Sequence, residues 1–356
     1  MNKIKQKVIV GMSGGVDSSV AAALLVEEGF DVKGVFMKNW QSDEARFNDV
    51  CPWEDDLRDA KAVAARLDIP IEVWNFEREY YDNVVKYLIT EYQAGRTPNP
   101  DVMCNKEIKF KLFLNKALSE GTDYIATGHY ARIIQENGQT HLYAGVDGNK
   151  DQSYFLYAIN SSILPKLKMP IGMYTKPKIR ELAKKFNLPN WDKKDSQGIC
   201  FIGKINLKEF LQTKLPIKKG EVITTDGQVV GQHDGVWFYT EGQREGIGLR
   251  GGTEPYYVIR KDIKSNQLIV GPKQNQALYH SEFLAENVNW LTDMPREFTC
   301  LARVRYRSAL IKCGVNNTKA DQIKIKLEVP ERAIARGQSV VLYHDNGLVL
   351  GGGVIR

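Results

Sequence analysis

Two cysteines and one glycine-rich turn are the parts of this sequence with the most chemistry to offer. Cys104 sits in Arg96-Thr97-Pro98-Asn99-Pro100-Asp101-Val102-Met103-Cys104-Asn105-Lys106. Two prolines and Asn99 make residues 97–101 a rigid turn, and 106–118 reads as a helix. Cys104 is therefore expected just before a helix N-terminus with Lys106 close by. Both features lower a thiol pKa and favour the thiolate, the nucleophilic form. Cys200 lies in Lys193-Lys194-Asp195-Ser196-Gln197-Gly198-Ile199-Cys200-Phe201-Ile202-Gly203, a loop-like stretch with two lysines and two more glycines around the thiol. Neither cysteine is embedded in a long apolar stripe. Taken singly, each reads more often as an inert buried thiol than as a reactive one. Asp101, three residues before Cys104, is a candidate general acid or base, or simply a turn-stabilising carboxylate.

The glycine-rich turn is Gly11-Met12-Ser13-Gly14-Gly15-Val16-Asp17-Ser18-Ser19. It follows an apolar β-branched run at 7–12 and opens an Ala/Leu-rich helical run at 18–28. Glycines permit positive φ and close backbone approach to a ligand. Successive N–H groups form an anion nest, and the helix N-terminus adds a partial positive charge. Ser13, Ser18 and Ser19 add hydroxyl donors. No lysine follows, so this is not the G-x-x-x-x-G-K-[ST] loop. Asp17 cannot face phosphate directly; it holds Mg²⁺ or orients the loop. A strand–helix turn with no ligand is the plainer alternative.

Elements that would position these residues alternate through the first half. Runs at 7–12, 31–37, 71–76 and 124–128 read as strands, and 18–28, 55–67 and 80–92 as helices. This rhythm argues for a doubly wound parallel sheet, which binds ligands at the carboxyl ends of its strands. Residues 132–143 interrupt it with a hairpin around Asn137-Gly138, and 176–186 is a further helix ending before Leu188-Pro189. After about residue 205 the pattern becomes β-rich, with Asp226-Gly227, Asp234-Gly235 and Asn346-Gly347 turns. Strands are expected at 236–240, 256–260, 267–270, 299–305, 322–329 and 339–343. Evenly spaced short strands suggest small barrels. The expected domains are thus 1–205 (catalytic α/β), 206–276 (small β-rich) and 277–356 (β-barrel).

Net charge is +6, and residues 296–356 hold eleven Lys/Arg against five Asp/Glu, so the last segment carries the whole excess. A basic end domain suits a polyanion such as nucleic acid. In 303–307 the arginines Arg303, Arg305 and Arg307 alternate, so they would share one strand face with Tyr306 beside them, an arrangement suited to phosphate contact and stacking. Five scattered cysteines argue against a disulfide scaffold, and no C-x-x-C pair suggests structural zinc. No stretch approaches the roughly 18 apolar residues of a membrane span. A cytosolic location is the default.

S-G-G-V-D-S at 13–18 resembles the pyrophosphate loop of the ATP-pyrophosphatase (PP-loop) superfamily, whose fold is adenine nucleotide alpha-hydrolase-like. With R-T-P-N-P-D-x-x-C-N, T-G-H-Y and D-S-Q-G-I-C-F-I-G following in order, the whole chain is similar to the bacterial tRNA-specific 2-thiouridylases. That resemblance implies ATP, with Mg²⁺, activating the C2 oxygen of the wobble uridine in tRNAs for Lys, Glu and Gln. It implies a persulfide on Cys200 as the sulfur carrier and Cys104 as the thiolate that resolves it, leaving a transient Cys104–Cys200 disulfide. ATP contacts would come from Gly11, Met12, Ser13, Gly14, Gly15, Val16, Asp17 and Ser18, with the Met37 backbone at the adenine and Gly128 on the nucleotide side. A modified uridine must leave its stack, so Asn99, Pro100 and Asp101 would face the base. His129, Lys150, Asp151, Gln152, Tyr306, Arg307 and Gln338 are the remaining tRNA contact candidates. A persulfide-donating protein, either a cysteine desulfurase or a relay, is the implied partner, and the chain is expected to be a monomer.

Other readings stay open at this stage. Related ATP-pyrophosphatases deliver amine nucleophiles and need no cysteine pair. A catalytically inert RNA-binding protein would not need an intact phosphate loop. Cys104, Cys200 and a carboxylate could instead hold an iron–sulfur cluster, which usually demands more thiolates.

Overall fold

The computed structural model describes residues 5–40, 52–195, 206–249, 255–319 and 321–356. Cys51 and Cys200 lie outside the described residues. Contacts divide the chain into two units. The first comprises Met1–Val84, Asp101–Lys204 and Asn346–Val349, and the second Val85–Pro100, Ile205–Asp345 and Leu350–Arg356.

In the first unit, β1 (Lys7–Gly11), β2 (Asp31–Lys38), β3 (Ile71–Asn75), β4 (Tyr124–Ala126) and β7 (Leu167–Lys168) form a sheet in the order β3-β2-β1-β4-β7. All four strand pairings within it are parallel. Strands of a covered parallel sheet bury both faces, which is why β1 reads Val-Ile-Val rather than alternating. Val8, Val10, Val20, Leu25, Phe36, Val63 and Ala126 share its core with α1 (Val16–Glu27) and α2 (Pro52–Leu67). The chain leaves β1 outward to β2 and β3, then returns to β4 on β1's other side. That reversal opens a crevice at the carboxyl ends of β1 and β4, where the glycine-rich turn lies.

The hairpin β5 (Ala131–Glu136) and β6 (Gln139–Ala144) turns at Asn137 and Gly138, with φ of 51° and 80°; two left-handed residues match the strand twist. The helix α3 (Lys176–Lys185) ends before Asn187, at φ 52°, and the Leu188-Pro189 pair.

In the second unit, β8 (Gly220–Thr224), β9 (Val229–His233), β10 (Tyr256–Asp262) and β11 (Gln267–Pro272) form one sheet. The strands β12 (Tyr279–Trp290), β13 (Glu297–Arg303), β14 (Ile311–Lys319), β15 (Gln322–Arg332), β16 (Ser339–Tyr343) and β17 (Val349–Ile355) close a six-stranded barrel. The parallel α/β class followed by β-rich architecture therefore holds. No helix of the described residues is long and apolar enough to cross a membrane.

Three expected elements differ. Residues 236–240 are not a strand: Val236–Phe238 forms a 3-10 turn, because His233 Nδ1 accepts from the Gly235 N–H and Asn266 Oδ1 from the Val236 N–H. Side-chain acceptors of this kind compete with sheet pairing. The strand expected at 299–305 ends at Arg303, and 305–308 turns, with the Ser308 N–H donating to the Arg305 carbonyl and Arg307 at φ 64°. The three arginines therefore do not share a strand face. The helix expected from 106 begins at Pro100 and runs through Pro100–Met103, a widened π-helical stretch Cys104–Phe113 and Leu114–Ser119. Proline is preorganised for a first helical position, and this moves the helix N-terminus ahead of Cys104.

Candidate active site

The glycine-rich turn is built by close approach. Gly14 has φ 73°, and a Cβ there would lie 2.2 Å from the Asp56 carbonyl oxygen. A Cβ on Gly128, just past β4, would lie 2.6 Å from the Ser18 backbone nitrogen, at the start of α1. One on Gly11 would lie 3.1 Å from the Met37 methyl. The sequence-assigned nucleotide residues of β1, β2 and β4 thus converge on one edge of the sheet. Met12 and Val16 point into the core and offer only backbone. The hydroxyls brace the turn: Ser18 and Ser19 each donate to the Gly15 carbonyl, at 3.1 and 2.9 Å, and the Ser13 N–H donates to Ser18 Oγ at 3.1 Å. With loop hydroxyls spent internally, backbone N–H groups and the start of α1 remain the anion-binding elements.

Asp17 points at groups that sequence spacing did not reveal. Its Oδ1 accepts from the Tyr130 hydroxyl at 2.8 Å and from Lys176 Nζ at 2.8 Å. Lys176 Nζ also meets Asp195 at 2.7 Å, and Asp195 pairs further with Lys150 at 2.6 Å and Arg180 at 3.1 Å. Burial alone would raise the Asp195 pKa, but hydrogen bonds from Lys150 and Lys176 outweigh it and hold the carboxyl at about 2. Burial, then the Asp17 carboxylate, push the Tyr130 phenol far above its ordinary range, so it remains a proton donor. Asn190 closes the other side, donating to the Gly14 carbonyl at 2.9 Å and Ser19 Oγ at 3.0 Å. Lys193 pairs with Asp56 at 2.6 Å and with Asp59. The segment leading to Cys200 is therefore anchored twice. Two of the missed residues were within sight, since Tyr130 ends T-G-H-Y and Asp195 begins D-S-Q-G-I-C.

Cys104 is fully buried, and it lies inside the helical run rather than just before a helix N-terminus as expected. It occupies the second turn of the helical run, while Asp101 takes the first turn. Next to it, Asn105 donates to the Phe155 carbonyl at 3.3 Å. His129 is also buried, its Nδ1 2.7 Å from Thr127 Oγ1 and its Nε2 3.4 Å from Lys109 Nζ. Burial, then the Lys109 charge, hold the imidazole well below its usual pKa and therefore neutral at neutral pH. Lys150 is engaged with Asp195. Asp151 accepts from the Gly145 and Ser153 N–H groups, both at 3.0 Å. Gln152 accepts from the Tyr130 N–H at 3.0 Å.

In the second unit, Asn99 is buried and Thr97 just before it is held from several sides. Gln338 Nε2 donates to the Thr97 and Pro98 carbonyls at 2.9 and 3.2 Å, and the Thr97 N–H donates to the Arg336 carbonyl at 2.8 Å. The Gln338 amide nitrogen thus holds the turn that carries Asn99. Arg307 lies 5.0 Å over the Tyr306 ring.

Lys261 donates to the Tyr239 carbonyl at 2.8 Å beside Thr97, and burial lowers its pKa from 10.5 to about 8. A folded-state pKa below the unfolded value means that the unfolded chain binds more protons between those values. Stability should therefore rise with pH from about 8 to about 10.5, by a few kcal/mol at most. Lys261→Met should lose this increment, as read from unfolding temperatures of both proteins across that range. An identical pH dependence in the two would refute it.

Residues 6–204 match a family model described as tRNA methyl transferase HUP domain, 208–272 one described as tRNA methyl transferase PRC-barrel domain, and 280–355 one described as aminomethyltransferase beta-barrel domain. The chain is 47% identical to the tRNA-specific 2-thiouridylase of Pseudomonas fluorescens (strain Pf0-1), covering 99% of this chain and 95% of that one. It is 48% identical to the Enterococcus faecalis (strain ATCC 700802 / V583) enzyme of the same name, at 99% and 95% coverage. Against that of Legionella pneumophila subsp. pneumophila (strain Philadelphia 1 / ATCC 33152 / DSM 7513) it is 49% identical, covering 99% of each. Identity near one half over essentially the full length places the chain in the tRNA-specific 2-thiouridylase family.

Proposed function

We propose that this protein replaces the C2 oxygen of the wobble uridine of tRNA with sulfur, at the expense of ATP, and that the tRNAs for Lys, Glu and Gln are its substrates. The observation that carries the reading is a backbone anion cradle, closed by Gly14 and Gly128, in a chain matching these relatives end to end. A triphosphate would be held by the turn's backbone N–H groups, which the close backbone packing at both glycine positions fixes in place. Mg²⁺ would accompany the triphosphate. Asp17 is the loop's carboxylate for it, once released from Lys176.

Uridine O2 is a poor leaving group. Its attack on the ATP α-phosphorus expels pyrophosphate and gives an O-adenylated base. The terminal sulfur of a Cys200 persulfide then adds to C2, and AMP departs. Attack by the Cys104 thiolate on the inner sulfur breaks the persulfide bond, leaves C2=S and joins Cys104 to Cys200. An external reductant returns two electrons to that disulfide. Asp101, one turn from Cys104, serves as the proton carrier, and Asn99, Pro100 and Asp101 face the base. His129, Lys150, Asp151, Gln152, Tyr306, Arg307 and Gln338 are the further tRNA contacts. Residues 1–205 do the chemistry, 206–276 form a small β-rich domain and 277–356 a tRNA-binding barrel. The protein acts as a cytoplasmic monomer supplied with sulfur by a persulfide-carrying donor protein.

The test incubates unmodified tRNA with protein, ATP-Mg²⁺ and a persulfide donor, then weighs the wobble nucleoside. Exchange of oxygen for sulfur is expected. Addition of a methyl group would replace this reading with methyl transfer, and AMP formation with no sulfur gain would point to an amine nucleophile.

A further inference from the structure

Asn39 follows β2 directly, one residue beyond Lys38, at the carboxyl edge of the sheet where the glycine-rich turn begins. It is 2% exposed, and neither its Oδ1 nor its Nδ2 has a hydrogen-bond partner. Among the described residues it is the one buried side chain left with both a donor and an acceptor unpaired. Burying an amide in this state costs stability, and unsatisfied groups in a folded protein call for an explanation, a missing ligand among them. The backbone around it is well tied. The Phe76 N–H donates to the Lys38 carbonyl at 2.8 Å, and the Met12 N–H to the Val35 carbonyl at 2.8 Å. The Lys38 ammonium lies 4.6 Å over the Trp53 ring, whose own buried N–H is also unpaired.

The pair of unmet atoms selects the ligand chemistry. A phosphate offers only acceptors and would leave Oδ1 unmet. A cation would leave Nδ2 unmet. An adenine edge offers a 6-amino donor beside a ring-nitrogen acceptor and satisfies both atoms at once. The phosphates belong at the turn after β1, which puts the base beyond the end of the neighbouring strand β2, on the side of Met37 and Asn39.

We propose that Asn39 binds the adenine of ATP through its side-chain amide, pairing the 6-amino group and an adjacent ring nitrogen. This rests on the ATP reading above. In the ligand-free protein the amide is kept unpaired and preorganised for the base.

The test compares binding of ATP, 2′-deoxy-ATP and purine riboside triphosphate, which lacks the 6-amino group, to wild type and Asn39→Ala. Wild type should prefer ATP over purine riboside triphosphate by about tenfold or more. Asn39→Ala should bind ATP correspondingly more weakly and not distinguish the two. Its ligand-free unfolding temperature should equal or exceed that of wild type, because an unpaired buried amide has been removed; an amide of purely structural use would lower it. Discrimination surviving in Asn39→Ala, or loss only of a preference over 2′-deoxy-ATP, overturns the assignment. The wild-type comparison needs no variant to fold. A wild type that binds ATP without preference sinks only the Asn39 assignment, whereas one that binds no adenine nucleotide sinks the ATP reading as well.

Discussion

Cys104→Ser is expected to cut tRNA thiolation by roughly a thousandfold or more, as removal of a nucleophile does, while ATP is still converted to AMP. Adenylation of the uridine oxygen uses ATP and not a thiol, so that step should survive the substitution. Without it, sulfur attached at C2 stays joined to Cys200, and the tRNA should accumulate as a covalent, reductant-cleavable adduct. Added small thiols should release thiolated tRNA from Cys104→Ser, because they attack the same inner sulfur. They should not rescue Cys200→Ser, which has no sulfur to pass on. Adduct is read by denaturing gel and product by nucleoside mass. Thiolation by Cys104→Ser at the wild-type rate without added thiol would remove Cys104 from the reaction. Serine nearly conserves volume, so the buried position should tolerate it well enough for the comparison.

Gly128→Ala should weaken ATP binding severely while leaving the sheet intact. The new methyl would sit 2.6 Å from the Ser18 nitrogen and 2.9 Å from the Ser18 Cα, both backbone atoms of the first turn of α1. Backbone cannot swing aside as a flexible side chain can, so the turn must retreat from the crevice. Overpacking of this kind costs about 1–3 kcal/mol, or roughly tenfold to a hundredfold in affinity if expressed at the cradle. Gly14→Ala adds a left-handed φ of 73° to a contact of 2.2 Å, and should lower the unfolding temperature as well. Nucleotide titration beside thermal unfolding separates the two effects. An unchanged ATP dissociation constant in both variants would show that the cradle is not where ATP binds.

Much of this site is legible in the sequence where chemistry and structure are local. The phosphate turn announces itself by its glycines, its position between an apolar run and a helix, and the short reach of its contacts. Gly128 and Met37 follow from the strand rhythm. What escapes is what the fold assembles across distance. Lys176 meets Asp17 although 159 residues separate them, and nothing in a lysine opening an amphipathic helix marks it as a partner. Cys104 shows a different difficulty. Pro100 starts the helix earlier than the apolar spacing suggests, and that displacement carries Cys104 from just before the helix into it. At the C-terminal end, the alternating arginines mimic a strand, but a tight turn at 305–308 claims that stretch. The order of His233, Gly235 and Asn266 bonds likewise makes a turn of Val-Trp-Phe, whose composition favours a strand. In each case short-range propensity yields to specific polar contacts.

Lys176 is shared between the carboxylates of Asp17 and Asp195. Any anion that takes the ammonium from Asp17 must also alter what holds Asp195, which immediately precedes the Ser196-to-Gly203 stretch that carries Cys200. Occupancy of the phosphate turn and the ion pairing of Asp195 are then thermodynamically linked, and linkage in binding is reciprocal. Whatever factor an anion at the turn imposes on the pairing of Asp195, a change in that pairing returns to anion affinity. Two carboxylates far apart in the sequence would thus report on each other through one lysine before any substrate arrives.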